Sequence, residues 1–202
     1  MEKIISKEIA KKLMKSKGEL RGAVFETDIS FILREKGKEG LKKVEEEMKR
    51  LGYPFRYKNI RTIEFYPIGL RAVSLLAIKK VLGFSDEKIK EMGAEVPRFS
   101  SVIRFAMKFF SKEKKLFFEN ASELWKRFLT TGEFKSVLDE KNRMAISTLK
   151  NFNIHPIFCT YLLGIIPAFH KLITGAKEIT CKETKCSFRG DEFHEFLVKH
   201  KY

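Results

Sequence analysis

The chain has 202 residues, 44% of them hydrophobic (19 Phe among these) and 33% charged, which suits one packed domain and excludes both intrinsic disorder and a fold dependent on disulfides. A formal net charge of +15 admits nucleic acid, an anionic membrane or an acidic protein as partner. The lysines, however, are spread through every segment without a block of like charge, so we read them as a solvated surface.

Taken in chain order, residues 2–16 read as an amphipathic helix, with Ile5, Ile9 and Leu13 four apart. A turn is expected at Lys17–Gly22, and Thr27 or Asp28 caps a helix through Arg34. Gly37–Gly40 breaks it, and Leu41, Val44, Met48 and Leu51 form the stripe of the next helix. An irregular connector, Gly52–Ile63, leads to Pro67 near the start of a helix through Leu82. Ser85-Asp86-Glu87-Lys88 begins a short helix, Pro97 opens one carrying Phe99, Val102, Ile103, Ala106 and Phe110, and another runs to Thr131 with Leu124, Trp125 and Phe128 inward.

The period then changes. Phe134–Leu138 and Arg143–Leu149 alternate as strands. A long apolar helix from Pro156 to about Thr174 follows, kinked by Pro167 and ended by Gly175. His155, Pro156, Pro167, His170 and Lys171 mark this stretch as a buried helix and not a membrane span. Strands at Glu178–Thr184 and Phe193–Lys199 complete the chain. The expected fold is α+β: one domain over 1–202, mainly helical over 1–131, with a ββαββ unit and a four-stranded antiparallel sheet over 132–202. Lysines near Met1 interrupt any signal peptide, and three cysteines, an odd number, point to thiols or ligands in the reducing cytoplasm.

Residues 121–198, with "SELWKRFLTTGEF", "CTYLLGIIPAFHKLITGA" and "ETKCSFRGDEFHEF", resemble a superfamily. It comprises 4-vinyl-reductase-type domains, sensor domains of aromatic-responsive transcription activators, transport protein particle (TRAPP) subunits and haem nitric-oxide/oxygen binding domains. The resemblance looks strongest to 4-vinyl-reductase-type members, through uncharacterised bacterial proteins that share a Gly22–Phe25-like segment. It implies a structural zinc ion held by Cys159 on the long helix and by Glu183, Cys186 and His194 on the last hairpin, with His194 standing where the family has Cys. Thiolate, carboxylate and imidazole are the zinc ligand types, and four protein ligands close the site to catalysis. Without the resemblance, Cys181 and Cys186 read equally well as small buried hydrophobes. Cys181 lies off the motif and reads as core, His155 as a cap or packing residue, and His170 and His200 as surface.

A ligand pocket is expected from Phe105, Phe109, Trp125, Phe128, Phe134, Phe158 and Tyr161, which read equally well as an ordinary aromatic core. The haem branch is set aside, because there is no Tyr-x-Ser-x-Arg motif and no His between Pro97 and Phe110. No phosphate-binding loop or Gly-x-Ser-x-Gly turn is present, and Cys159 as a nucleophile would sit on an apolar helix. The expectation is therefore a non-enzymatic, zinc-stabilised module that binds a small apolar or aromatic ligand, forms a homodimer and signals through a protein partner. The alternatives are a TRAPP-like scaffold or adaptor and, third, a nucleic-acid binder whose affinity would fall steeply with salt.

Overall fold

The structure is a computed structural model and describes residues 4–99 and 114–202. The expected inward positions Val102, Ile103, Phe105, Ala106, Phe109 and Phe110 lie outside the described residues.

The N-terminal part opens with helix α1, Lys7–Leu13, capped by Ser6, whose hydroxyl accepts from the Ile9 amide at 3.2 Å. Strand β1, Glu19–Arg21, stands where a plain turn was expected and pairs antiparallel with β2, Phe65–Pro67. Helix α2 spans Val24–Arg50 and is interrupted at Gly37, within the expected break at Gly37–Gly40. Gly37, at φ 63° and ψ −168°, kinks it, a conformation glycine adopts without a Cβ penalty. Thr27 and Asp28 do not cap this helix. They lie inside it and are fully buried, because packing by Phe25, Phe31 and Ile32 carries the helix start four residues earlier.

Helix α3, Ile68–Leu82, starts after Pro67 as expected and buries most of its residues. Ser85 caps α4, Asp86–Ala94, accepting from the Lys88 amide at 3.2 Å. Short helices α5, Val96–Phe99, α6, Lys114–Glu119, and α7, Ala121–Phe128, complete the helical part.

Strands β3, Glu133–Asp139, and β4, Met144–Lys150, lead into helix α8, Ile157–Thr174. The last two strands are β5, Glu178–Lys185, and β6, His194–Lys201. Together they form a four-stranded antiparallel sheet in the order β3-β4-β6-β5. The expected α+β architecture, helices on a ββαββ unit, is thus what the chain forms.

Helix α8 packs against α4, α5 and β5. Its approach to α4 is closed by two glycines: a Cβ on Gly164 would lie 1.9 Å from the Lys90 carbonyl oxygen, and one on Gly93 would lie 2.3 Å from that of Tyr161. The helix runs on through Pro167 and ends at Gly175, which takes the left-handed conformation. Among the described residues α8 is the helix long and apolar enough to cross a membrane, and 56% of it is buried within the fold.

Candidate functional site

The N-terminal half of α8 touches two sites, one on each side. On the sheet side, Cys159, Glu183, Cys186 and His194 converge so that one ligand atom from each lies within 4.8 Å of all the others. Local structure explains the convergence. The pleat turns His194 inward with Phe196 and Val198. A register irregularity between Glu183 and Lys185 re-aims the end of β5. The turn beyond it is held by Asp191, whose carboxylate accepts from the Cys186 amide at 2.7 Å, and by Gly190 at φ 98°.

The separations have a recognisable pattern. The two sulfurs are 3.8 Å apart, Cys159 Sγ lies 3.6 Å from His194 Nδ1, and His194 Nδ1 lies 3.3 Å from Glu183 Oε1. Around one ion with bonds of about 2.0–2.3 Å, the edges of a ligand tetrahedron come to about 3.3–3.8 Å, longest between sulfurs. The other imidazole nitrogen, Nε2, lies 3.1 Å from the Phe152 carbonyl oxygen, to which it can only donate. A neutral His194 therefore turns the bare lone pair of Nδ1 toward a carboxylate, two acceptors facing each other. The Cys159 thiol, 3.6 Å from Nδ1, or a bound cation satisfies that lone pair.

Burial pushes the Cys159 thiol up, and Glu183 and Cys186 add to the effect. Burial also works to raise the Glu183 carboxyl, but His194, the two thiols and Arg189 outweigh it and bring it below its usual value. Arg189 Nη1 donates to Glu183 Oε2 at 3.0 Å from the solvent side. Cys181 stays apart, half-buried against the core with its thiol pushed up to about 12 by burial, then by Glu183. His155 caps α8, its Nδ1 accepting from the Ile157 amide at 3.0 Å. Both fall as expected.

On its other side α8 walls an apolar cavity of about 140 Å³ between the helical part and the sheet. Trp125, Phe128, Phe134, Phe158 and Tyr161, expected as lining, do line it. Trp125 stacks on Phe134 at 5.2 Å, and Phe152 meets Phe158 edge-on at 5.2 Å. Sequence reasoning missed Leu162, Ile166 and Phe169, which extend the face of α8 begun by Phe158 and Tyr161 and were legible from helical spacing. It also missed Arg71 and His170.

His170 and His200 are 2% and 5% exposed and so are not surface residues. Position 200 alternates inward with Val198, and His170 Nδ1 meets His200 Nε2 at 3.1 Å. Burial, then His200, pushes His170 down to about 3, so its ring is neutral.

No family model matches the chain, and no curated protein matches it. Solved structures do. An H-NOX protein from Shewanella oneidensis in the Fe(II)NO ligation state superposes with a TM-score of 0.68 at 8% identity, over 91% of this chain and 100% of that one. An H-NOX domain from the same organism in the Fe(II)CO state gives 0.65 at 9% identity, over 90% and 99%. A structure from work on haem distortion in the H-NOX family gives 0.62 at 17% identity, over 91% and 96%.

These neighbours correct two expectations. The resemblance to 4-vinyl-reductase-type domains rested on residues 121–198, whereas the H-NOX neighbours match the helical part as well, so that resemblance does not stand. Setting haem aside and taking zinc as the cofactor does not stand either, since the fold is shared with proteins described by their haem. A short motif is a weak ground for exclusion when the whole fold is shared.

The fit of a porphyrin can be tested on the residues. His170 offers a neutral imidazole at the cavity wall, the form that ligates metals. The volume, however, is that of a cavity for a benzene-sized guest. The one cation among the described lining residues, Arg71, is already ion-paired to Asp28. The described residues thus fit a porphyrin at one atom and a smaller guest over the whole cavity. The fold these comparisons share with the chain is that of H-NOX proteins.

Proposed function

We propose that this chain is a non-enzymatic small-molecule sensing module, whose guest sits in the apolar cavity between the helices and the sheet. The observation that supports it is the cavity itself: aromatic side chains from α7, β3 and α8 line about 140 Å³ next to a single imidazole. Pockets of this kind are mostly apolar with a few fixed polar groups. A guest there touches both halves of the fold, so its arrival can change how they pack.

As part of the same reading, Cys159, Glu183, Cys186 and His194 hold a metal ion that pins α8 to the β5–β6 hairpin. Four protein ligands leave no open coordination position, so the ion orders one wall of the module and does no chemistry. Output passes to a protein partner or through a second copy of the chain, in the cytoplasm, where three free cysteines stay reduced.

The test is ligand titration of the full chain, followed by heat-capacity and chemical-shift changes, with toluene and with haem. Saturable binding of toluene that Phe158→Trp blocks by filling the cavity supports the reading. A sharp haem absorbance band abolished by His170→Ala would replace the small guest with haem, and no binding of either would reject the sensor. Elemental mass spectrometry of the parent and of Cys186→Ala tests the ion: about one metal per chain in the parent and little in the variant is expected.

A further inference from the structure

The two faces of the four-stranded sheet differ. Ala145, Leu149, Phe196 and Val198 turn to one face and join the core. The residues between them turn to the other face and to solvent. On an antiparallel sheet with one wet face, that face is ordinarily polar. Here its middle row is apolar. Val137, Ile146 and Leu197 are direct cross-strand neighbours on β3, β4 and β6. Val137 is 69% exposed and Ile146 38%, and Leu197 is partly exposed. Apolar residues scattered singly over a surface are normal, whereas a contiguous row is what a contact surface is built on.

The rows on either side are charged, and their order points to what covers them. Two residues along the strands in one direction, Asp139, Met144 and Lys199 lie side by side on β3, β4 and β6. Two residues in the other direction, the same strands carry Lys135, Thr148 and Glu195. Each charge in the first row thus has its opposite in the second, on the same strand and about 7 Å from the apolar row. A twofold axis along the apolar row lays the face on a copy of itself and exchanges the two rows. Val137, Ile146 and Leu197 then meet their own copies, Asp139 meets the partner's Lys135, and Lys199 meets the partner's Glu195. An axis along the strands would instead set Val137 against Lys182 and pair none of these charges. Both carboxylates are already oriented: Asp139 accepts from the Asn142 side chain at 2.7 Å, and Glu195 from the Thr184 hydroxyl at 2.9 Å. Lys182, at the β5 end of the row, meets its own copy, but on an edge strand its ammonium reaches solvent.

We propose that the outer face of the sheet is an interface between two copies of this chain, packed face to face about a twofold axis along Val137, Ile146 and Leu197. Sheets stacked this way cross at about 30°, so positions two residues from the axis stay within reach of their partners. The apolar centre supplies the contact, and the charged pairs outside it fix which way the copies meet. The formal charge of +15 on each copy opposes association, and about 0.15 M salt screens it beyond about 8 Å while the short contacts persist. Of the two outputs named above, this takes the second copy and gives it a surface. It depends on neither the guest nor the ion, so its failure leaves the cavity reading untouched.

The experiment is sedimentation of the full chain, without ligand, at about 0.15 M salt over a range of concentrations. A reversible dimer is expected. Ile146→Lys, which puts a charge on the axis, is expected to raise its dissociation constant at least about tenfold. Lys199→Glu and Glu195→Lys each set like charges against one another and should weaken the dimer to a similar degree. An equimolar mixture of those two restores opposite signs at both contacts and should dimerise within about threefold of the parent. Circular dichroism and melting read the fold of each variant separately. A chain that stays monomeric up to about 1 mM would overturn the proposal. So would a dimer that Ile146→Lys leaves intact, which would place the contact elsewhere, or a mixture that associates no better than either variant alone.

Discussion

The sulfurs of Cys159 and Cys186 lie 3.8 Å apart across 27 residues, one on a helix and the other just past the end of a strand, with His194 Nδ1 3.6 Å from the first. If an ion joins them, stripping it should loosen the contact between α8 and the hairpin. A ligand at a hundredfold excess over its Kd stabilises the folded state by about 2.7 kcal/mol. Treatment with a strong chelator should lower the melting temperature by several degrees, re-addition of metal should restore it, and His194→Ala should melt low and ignore both. A parent protein whose melting is the same with and without chelator would show that the four residues hold no ion that matters to the fold.

Asp28 and Arg71 offer a sharper energetic test. Burial works against the charge on Arg71, but Asp28 and then Tyr161 raise its pKa above the usual guanidinium value, so it remains a cation in the core. Burial raises Asp28 as well, while Arg71 pulls it down. Removing one partner leaves a buried unpaired charge, a loss of about 3–5 kcal/mol. Urea unfolding of Asp28→Ala should show a loss of that order, and the double variant Asp28→Leu/Arg71→Met should recover most of it. A loss under about 1 kcal/mol in the single variant would mean that water reaches Arg71.

Acid sensitivity should trace to His170 and His200. Burial is the first cause of the depression in both, followed by His200 for His170 and by Lys114 for His200. For such groups the unfolded chain takes up protons near pH 6.5 while the folded one resists until about pH 3 for His170. Their contribution is therefore full above pH 6.5 and is lost as the pH falls below it, at about 1.4 kcal/mol per unit of depression. The urea midpoint should drop steadily from pH 7 to pH 4, and His170→Leu should flatten that slope. An equal slope in the variant would place the acid sensitivity elsewhere.

The seam between α4 and α8 should tolerate no side chain. A Cβ at position 164 would fall 1.9 Å from the Lys90 carbonyl oxygen, a backbone atom that cannot rotate aside. Gly164→Ala should destabilise by about 1–3 kcal/mol, as over-packing does. The same change at Gly83, where added carbon meets nothing, acts only through its left-handed backbone at φ 66°. Gly164→Ala should accordingly also weaken toluene binding, because the cavity wall rides on α8, whereas Gly83→Ala should not.

Much of this protein was settled locally. Ser6 and Ser85 cap helices because a short hydroxyl meets an orphan amide wherever it stands. Gly175 ends α8 because the left-handed turn there is nearly free for glycine, and period-two alternation placed all four strands of the sheet to within a residue or two. The aromatic run from Trp125 to Tyr161 was likewise readable in the chain, whereas Glu183, Cys186 and His194 were singled out only through the resemblance to 4-vinyl-reductase-type domains. Tertiary structure decided the rest. It paired β1 with β2 across more than forty residues and buried His170 and His200, because packing from distant segments outweighs local preference. Asp28 reads as a helix cap until Arg71, 43 residues on, lies against it in the core. A charge becomes a buried partner only when the fold removes its water, and which charges lose their water is a property of the assembled core, not of the residues on either side.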